Sequence, residues 1–153
     1  MTKLKSMLLS VIGFFIISQV TFAHCEIPCG IYEDSIRISL IEEHITTIEK
    51  SMNMIIELSN ETEPNYNQLV RWVVNKDEHC NKIQEIVSQY FLHQRLKITE
   101  PTDPNYEKYV KQLTLLHKLL VYSMNAKQTT DLSYIHKLTE TLNDFEKSYF
   151  HKH

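Results

Sequence analysis

Glycine is nearly absent from this chain, and its scarcity limits the folds that the chain can adopt. Only two of the 153 residues, Gly13 and Gly30, are glycine, against a usual share of about 7%. A G-x-G-x-x-G or P-loop phosphate site needs several glycines and is therefore excluded. A sandwich or barrel with many tight turns is disfavoured for the same reason. With 42% hydrophobic residues and four prolines, the chain is predicted to form long helices in one domain.

Residues 1–23 have the pattern of a cleaved secretory signal peptide. A basic start is followed by an uncharged apolar run over residues 7–17 and by small residues at the cleavage positions before His24. The apolar run is shorter than the ~20 residues that span a bilayer, so no stable membrane anchor is expected, although an uncleaved anchor is the alternative. The signal peptide is expected to export the protein to the periplasm or the cell exterior, with cleavage after Ala23.

Four amphipathic helices are predicted after residue 33, because apolar residues recur at spacings of three and four, which is the helical period. The first is predicted to begin at Asp34 or Ser35, the second to cover about 65–93, and the third to begin at Pro104. In helix order, the predicted inward-facing residues are Ile41, Ile45, Ile48, Met52 and Ile55; Leu69, Trp72, Val73, Cys80, Ile83, Val87 and Tyr90; Tyr109, Leu113, Leu116, Leu120 and Met124; and Leu132, Ile135, Leu138, Leu142, Phe145 and Tyr149.

Amphipathic helices with short connections must bury their apolar faces against one another. The predicted fold is therefore all-α, an antiparallel four-helix bundle over residues 34–153 with an N-terminal metal-binding hook over residues 24–33. No helical histidine stands in a Glu-x-x-His or His-Glu-x-x-His pattern, and so these histidines are expected at the surface or at its boundary. Cys80 is expected to be a buried, inert thiol. A net charge of −3 without a basic block makes nucleic acid an unexpected partner.

Metal donors stand together at the N-terminus that cleavage would create, in the run His24-Cys25-Glu26-Ile27-Pro28-Cys29-Gly30-Ile31-Tyr32. The free amine of His24, the amide nitrogen of Cys25 and the Cys25 thiol can close two fused five-membered chelate rings in one plane. Cys29 can return a second thiolate, and the His24 imidazole can reach an axial position. Planar nitrogen and sulfur donors suit Ni(II) or Cu(II), whereas tetrahedral sites suit zinc.

The pattern His-Cys-x-x-Pro-Cys-Gly-x-Tyr at a processed N-terminus resembles the nickel hook of the nickel-containing superoxide dismutase family. The resemblance implies an oxidoreductase that converts superoxide to oxygen and hydrogen peroxide through a Ni(II)/Ni(III) cycle. It also implies one nickel ion per subunit, a homohexamer of four-helix bundles, and a nickel-delivery or processing factor as a partner. The implied metal ligands are His24, Cys25 and Cys29, and Tyr32 and Tyr90 are the implied catalytic tyrosines.

The sequence departs from that family at the residues that steady the axial imidazole, where the family uses a carboxylate and an arginine. Ser39 or Leu40 stands at the matching acid position, and the arginine position falls near His79. Two alternatives remain open from the residues alone. One is a secreted four-helix binding module whose Cys25 and Cys29 form a disulfide, and the other is a copper-binding protein that uses the same chelate.

Overall fold

Four α-helices and one π-helical segment account for most of residues 33–150, the part of the chain that the computed structural model describes. They are α1 (Asp34–Ser59), α2 (Tyr66–Glu85) with its π-helical continuation Ile86–Arg95, α3 (Tyr106–Gln128) and α4 (Ser133–Phe150). No strand occurs in that range, and the predicted all-α class is confirmed. None of these helices combines the length and the apolarity needed to cross a bilayer.

Consecutive helices run antiparallel around a shared core. His44 of α1 contacts His79 of α2, while Ser51, further along α1, contacts Asn75, which lies earlier on α2. Each of α1 and α3 packs against both α2 and α4. The four helices therefore close into a ring, and the predicted antiparallel four-helix bundle is confirmed.

The apolar faces of α1 and α4 point into the core as predicted. Ile41, Ile48 and Met52 are fully buried on α1, and Leu138 and Phe145 are fully buried on α4. Burial of a large aliphatic or aromatic side chain stabilises a fold by about 1.5–3 kcal/mol. Tyr149 near the end of α4 also bonds to Asp34, so the first turn of α1 lies beside the last turn of α4.

The predicted inner faces of α2 and α3 are partly wrong. Val73, Leu113 and Met124 are 38%, 39% and 45% exposed. The buried face of α3 follows a different stripe, at spacings of 4, 3, 4 and 3, formed by Gln112, Leu116, Leu119, Ser123 and Ala126. This stripe mixes leucines with small and polar residues. Hydrophobicity alone does not mark such a stripe, because small and hydrogen-bonded polar side chains are buried together with leucines.

The third helix begins later than predicted, at Tyr106 rather than at Pro104. Asp103 accepts a hydrogen bond from the Asn105 amide through its side chain (2.7 Å) and one from the Tyr106 amide through its carbonyl (3.0 Å). These bonds form a turn before the helix, because an aspartate side chain competes for nearby amides.

A π-helical segment replaces the last turns of the predicted second helix. The Leu96 amide bonds to the Phe91 carbonyl at 2.8 Å, which is the i to i−5 pairing of a π-helix. Tyr90 and Phe91 are both buried although they are adjacent in sequence. Phe91 stacks edge-on against Phe145 of α4, with 5.0 Å between ring centres, and the Tyr90 hydroxyl reaches the start of α1. The π segment thus ties α1 and α4 together at one end of the bundle.

Candidate functional site

The predicted ligands His24, Cys25 and Cys29, together with Tyr32, lie outside the described residues. Tyr90 is the predicted site residue that the structure places. Over residues 33–150 there is no group of three or more His, Cys, Asp or Glu side chains that could hold a metal ion. What the structure describes is the end of the bundle at which α1 begins, directly after the predicted hook in sequence.

The carboxylate of Asp34, two residues after Tyr32, gathers three hydrogen-bond donors from other parts of the fold. The Tyr90 hydroxyl donates to its Oδ1. Its Oδ2 accepts from Arg95 at 2.7 Å and from the Tyr149 hydroxyl at 2.8 Å. The start of α1 is thus joined to the π segment and to the end of α4 by one carboxylate. We call these four residues the Asp34 cluster.

The Asp34 cluster is held together by an ionised acid and protonated phenols. Burial raises the pKa of Asp34, but the hydrogen bonds from Arg95, Tyr90 and Tyr149 together outweigh that effect and hold the pKa below its usual value. Burial, and then the hydrogen bond to Asp34, raise the pKa of Tyr90 to about 12. Tyr90 therefore keeps its proton at neutral pH. Its hydroxyl donates a hydrogen bond to a charged acceptor, and such a bond is strong.

A small cavity of about 190 Å³ adjoins Tyr90 between α1 and the second helix. Its lining residues are Arg37, His44, Lys82, Glu85, Ile86, Gln89 and Tyr90. The guanidinium carbon of Arg37 lies 5.0 Å from the centre of the Tyr90 ring, within the range of a cation–π contact. The Nε atom of Arg37 is buried and has no hydrogen-bond partner.

Two histidines meet across the α1–α2 interface beside that cavity. The Nδ1 atoms of His44 and His79 are 3.1 Å apart, so one ring must donate a hydrogen to the other. Burial lowers the pKa of His44, and so do its electrostatic interactions with His79 and with Lys82. Burial and then Lys82 lower the pKa of His79. Both rings are partly buried, in agreement with the predicted boundary position, but the sequence did not predict that they pair.

Asp34, Arg95 and Tyr149 were not predicted to act together. The sequence indicated Asp34 as a helix start and Tyr149 as an inward-facing residue, and nothing singled out Arg95. One available signal was a tyrosine on an apolar stripe, because the hydroxyl of a buried tyrosine needs a partner. The partner, Asp34, lies 115 residues away, beyond the reach of any local pattern.

A four-helix bundle preceded in sequence by a donor-rich segment is the arrangement expected of a helical metalloprotein. The model of the nickel-containing superoxide dismutase family matches residues 19–153, and the chain belongs to that family. It is therefore an oxidoreductase that acts on superoxide, with nickel as its cofactor. A comparison with curated proteins and a comparison with solved structures each returned no match.

Proposed function

We propose that the mature chain converts superoxide to oxygen and hydrogen peroxide at a nickel ion bound by its own processed N-terminus, with one ion per subunit. The observation that carries this proposal is that the family match begins at residue 19 and so spans the whole donor run 24–32. The proposed ligands are the amine and imidazole of His24, the amide nitrogen and thiolate of Cys25, and the thiolate of Cys29.

The chemistry of these donors suits nickel. When bound, nickel would supply one-electron exchange with superoxide by alternating between Ni(II) and Ni(III), and anionic amide and thiolate donors favour the higher oxidation state. Cys80 is unsuited to be a further ligand, because burial raises its pKa to about 12 and metals bind the thiolate. The other two cysteines of the chain, Cys25 and Cys29, are therefore the proposed thiolates.

The described residues support the hook by fixing the point at which it joins the bundle. Tyr32 is proposed to stand over the open face of the metal, and Asp34 follows two residues later. Arg95, Tyr90 and Tyr149 hold Asp34, so the first residue of α1 is fixed against the π segment and α4. Tyr90 keeps its proton on Asp34, so its proposed part is to order the neighbourhood of Tyr32 rather than to release a proton to peroxide.

Export and assembly complete the proposal. The signal peptide would direct export, and its cleavage after Ala23 would free the amine that the ligand set needs. A processing or nickel-delivery factor is the proposed partner. The proposed assembly is a homohexamer. An apolar stripe on α2, where Tyr66, Val70 and Val74 are 71%, 59% and 49% exposed, supports contact between subunits, since such patches mark interfaces. Native mass spectrometry should show a hexamer, and Val70→Glu should give smaller species.

The sharpest test changes the N-terminus and the cysteines separately. Adding one residue before His24 should abolish nickel binding while circular dichroism shows intact helices. Cys25→Ala and Cys29→Ala should each lose nickel, whereas Cys80→Ala is the matched control and should keep it. Full nickel and full activity in the extended protein would overturn the hook assignment.

Intact mass and elemental analysis of the native mature protein separate the two alternatives. A chain that starts at His24, with free thiols and one nickel ion, supports the proposal. A mass lower by two hydrogen atoms, without metal, would instead favour the disulfide-bonded binding module. Copper in place of nickel would favour the copper-binding protein.

A further inference from the structure

Two cationic side chains line the cavity beside Tyr90, and neither has an acidic partner in the described structure. Arg37 and Lys82 both line it. Neither forms an ion pair with a described acid, unlike Lys76 and Arg95, which pair with Asp77 and Asp34. The buried Nε–H of Arg37 donates no hydrogen bond, and an unpaired buried donor is unfavourable because it has lost its hydrogen bond to water. A ligand that accepts this hydrogen would remove that cost.

We propose that this cavity is a binding site for a small anion, held by Arg37 and Lys82. The planar guanidinium of arginine matches oxyanions, and Lys82 adds a second charge, while Glu85 is the one acid in the lining. The side chain of Gln89 offers an amide donor at the rim. Lys82 and Gln89 are exposed, so the cavity opens to solvent and an ion can enter.

The cavity is large enough for a small oxyanion. Its volume of about 190 Å³ exceeds the roughly 30 Å³ that one water molecule takes in the liquid. An inorganic oxyanion therefore fits inside it together with water.

Two kinds of anion have the chemistry that this site binds: superoxide itself and an inorganic oxyanion such as phosphate. The superoxide assignment rests on the proposed dismutase function. It is favoured by continuity, because Tyr90 lines the cavity and also bonds to Asp34, which follows the predicted hook directly in sequence. Positive charge next to a reaction site raises the local concentration of an anionic substrate.

Phosphate binding to the nickel-loaded mature protein at low ionic strength tests the site directly. Titration followed by calorimetry should show saturable binding that Arg37→Gln weakens about tenfold and Lys82→Gln about threefold. Lys118→Gln is the matched control, since Lys118 is an exposed lysine on α3 outside the cavity, and it should bind as the wild type does. Because Lys82 is exposed, its variant should fold, and thermal unfolding of all three variants verifies this.

A second measurement identifies the source of the anion. Competitive inhibition of superoxide consumption by phosphate at constant ionic strength, lost in Arg37→Gln, would identify superoxide as the natural occupant. Saturable binding without inhibition would identify an inorganic oxyanion. Absence of saturable phosphate binding, or binding insensitive to both substitutions, would overturn the proposed site. Calorimetry does not depend on turnover, so this failure is distinct from failure of the dismutase proposal.

Discussion

Asp34 and Tyr90 lie 56 residues apart in the sequence, and the Tyr90 hydroxyl donates a hydrogen bond to the Asp34 carboxylate. The same carboxylate binds Arg95 and Tyr149, so the first residue of α1 is connected to two other helical elements. The family's catalytic ion is proposed to lie in the segment that ends two residues before Asp34. The Asp34 cluster therefore fixes the start of α1, to which that segment is joined in sequence.

Asp34→Asn should loosen this end of the bundle. The amide loses the negative charge that three donors share, and the expected loss in the free energy of unfolding is about 2 kcal/mol, measured by urea denaturation at neutral pH. The pKa of Asp34 is lowered on folding, so its contribution is present above the unfolded value and disappears as the pH falls through the folded value. The difference between variant and wild type should therefore begin to shrink as the pH falls towards 3.8 and should vanish only below the folded pKa, which is lower than 3.8.

Glu33→Gln is the matched control for Asp34→Asn. Glu33 is exposed, and its side chain accepts a hydrogen bond from the Ser35 hydroxyl at 3.3 Å. Its removal should change stability by no more than about 0.5 kcal/mol. Equal effects of the two substitutions would show that the Asp34 cluster does not hold the start of α1.

Stability should fall in mild acid because His44 and His79 pair as neutral rings. The folded pKa of each lies below 6.5, so their contribution is full above that pH and is lost as the pH falls through the folded values. Glu43 raises the pKa of both histidines and Glu78 raises that of His79, whereas Lys82 lowers both pKa values. Between about pH 7.5 and 5.5 we expect a loss of about 1 kcal/mol.

The double variant His44→Gln/His79→Gln checks this assignment. Its free energy of unfolding should depend less on pH than that of the wild type over the same interval. His117→Gln/His136→Gln replaces two exposed histidines and should retain the wild-type slope. An unchanged slope in the His44 and His79 double variant would assign the acid sensitivity to other groups.

Lys76→Met should destabilise the bundle strongly. Lys76 is only 3% exposed, and its ammonium donates to the carbonyls of Ala126 (2.8 Å), Lys127 and Thr129 (3.3 Å) at the end of α3. These carbonyls have no partner inside the helix, and so we expect a loss of about 2–4 kcal/mol.

Lys127→Met provides the comparison for Lys76→Met, again by urea denaturation. The Lys127 ammonium donates to the side chain of Asn81 in an exposed hydrogen bond of 2.8 Å. Exposed contacts of this kind contribute about 0–1 kcal/mol. If Lys127→Met proved as damaging as Lys76→Met, capping by Lys76 would not be the cause.

Thiol reactivity should separate Cys80 from the other cysteines. Cys80 is fully buried, and burial raises its pKa to about 12, so little thiolate forms at neutral pH. In the reduced, metal-free mature protein, a chromogenic thiol reagent should label Cys25 and Cys29 rapidly. It should label Cys80 only after unfolding in denaturant. Rapid labelling of all three cysteines in the folded protein would contradict the burial of Cys80.

Local spacing predicted some helical faces well and others poorly. The stripe through Ile41, Ile48 and Met52 succeeded because large apolar residues dominate the buried face of α1. On α3 the prediction failed at Leu113 and Met124, since the buried face includes Ser123 and Ala126. On α2 the prediction failed at Val73. Lys76 on the same helix is buried because a backbone carbonyl at the end of α3 accepts a hydrogen bond from its ammonium group.

The sequence by itself determined the helical class, the approximate extent of the helices and the donor run 24–32 with its preferred metals. These are local properties, because helical period and chelate formation depend on neighbouring residues alone. Only the tertiary structure decided the partners of Asp34, which lie 56, 61 and 115 residues away, and the cavity that brings Arg37 and Lys82 together. Such contacts arise when helices pack, because packing sets which side chains meet, and no spacing within one helix encodes its neighbour.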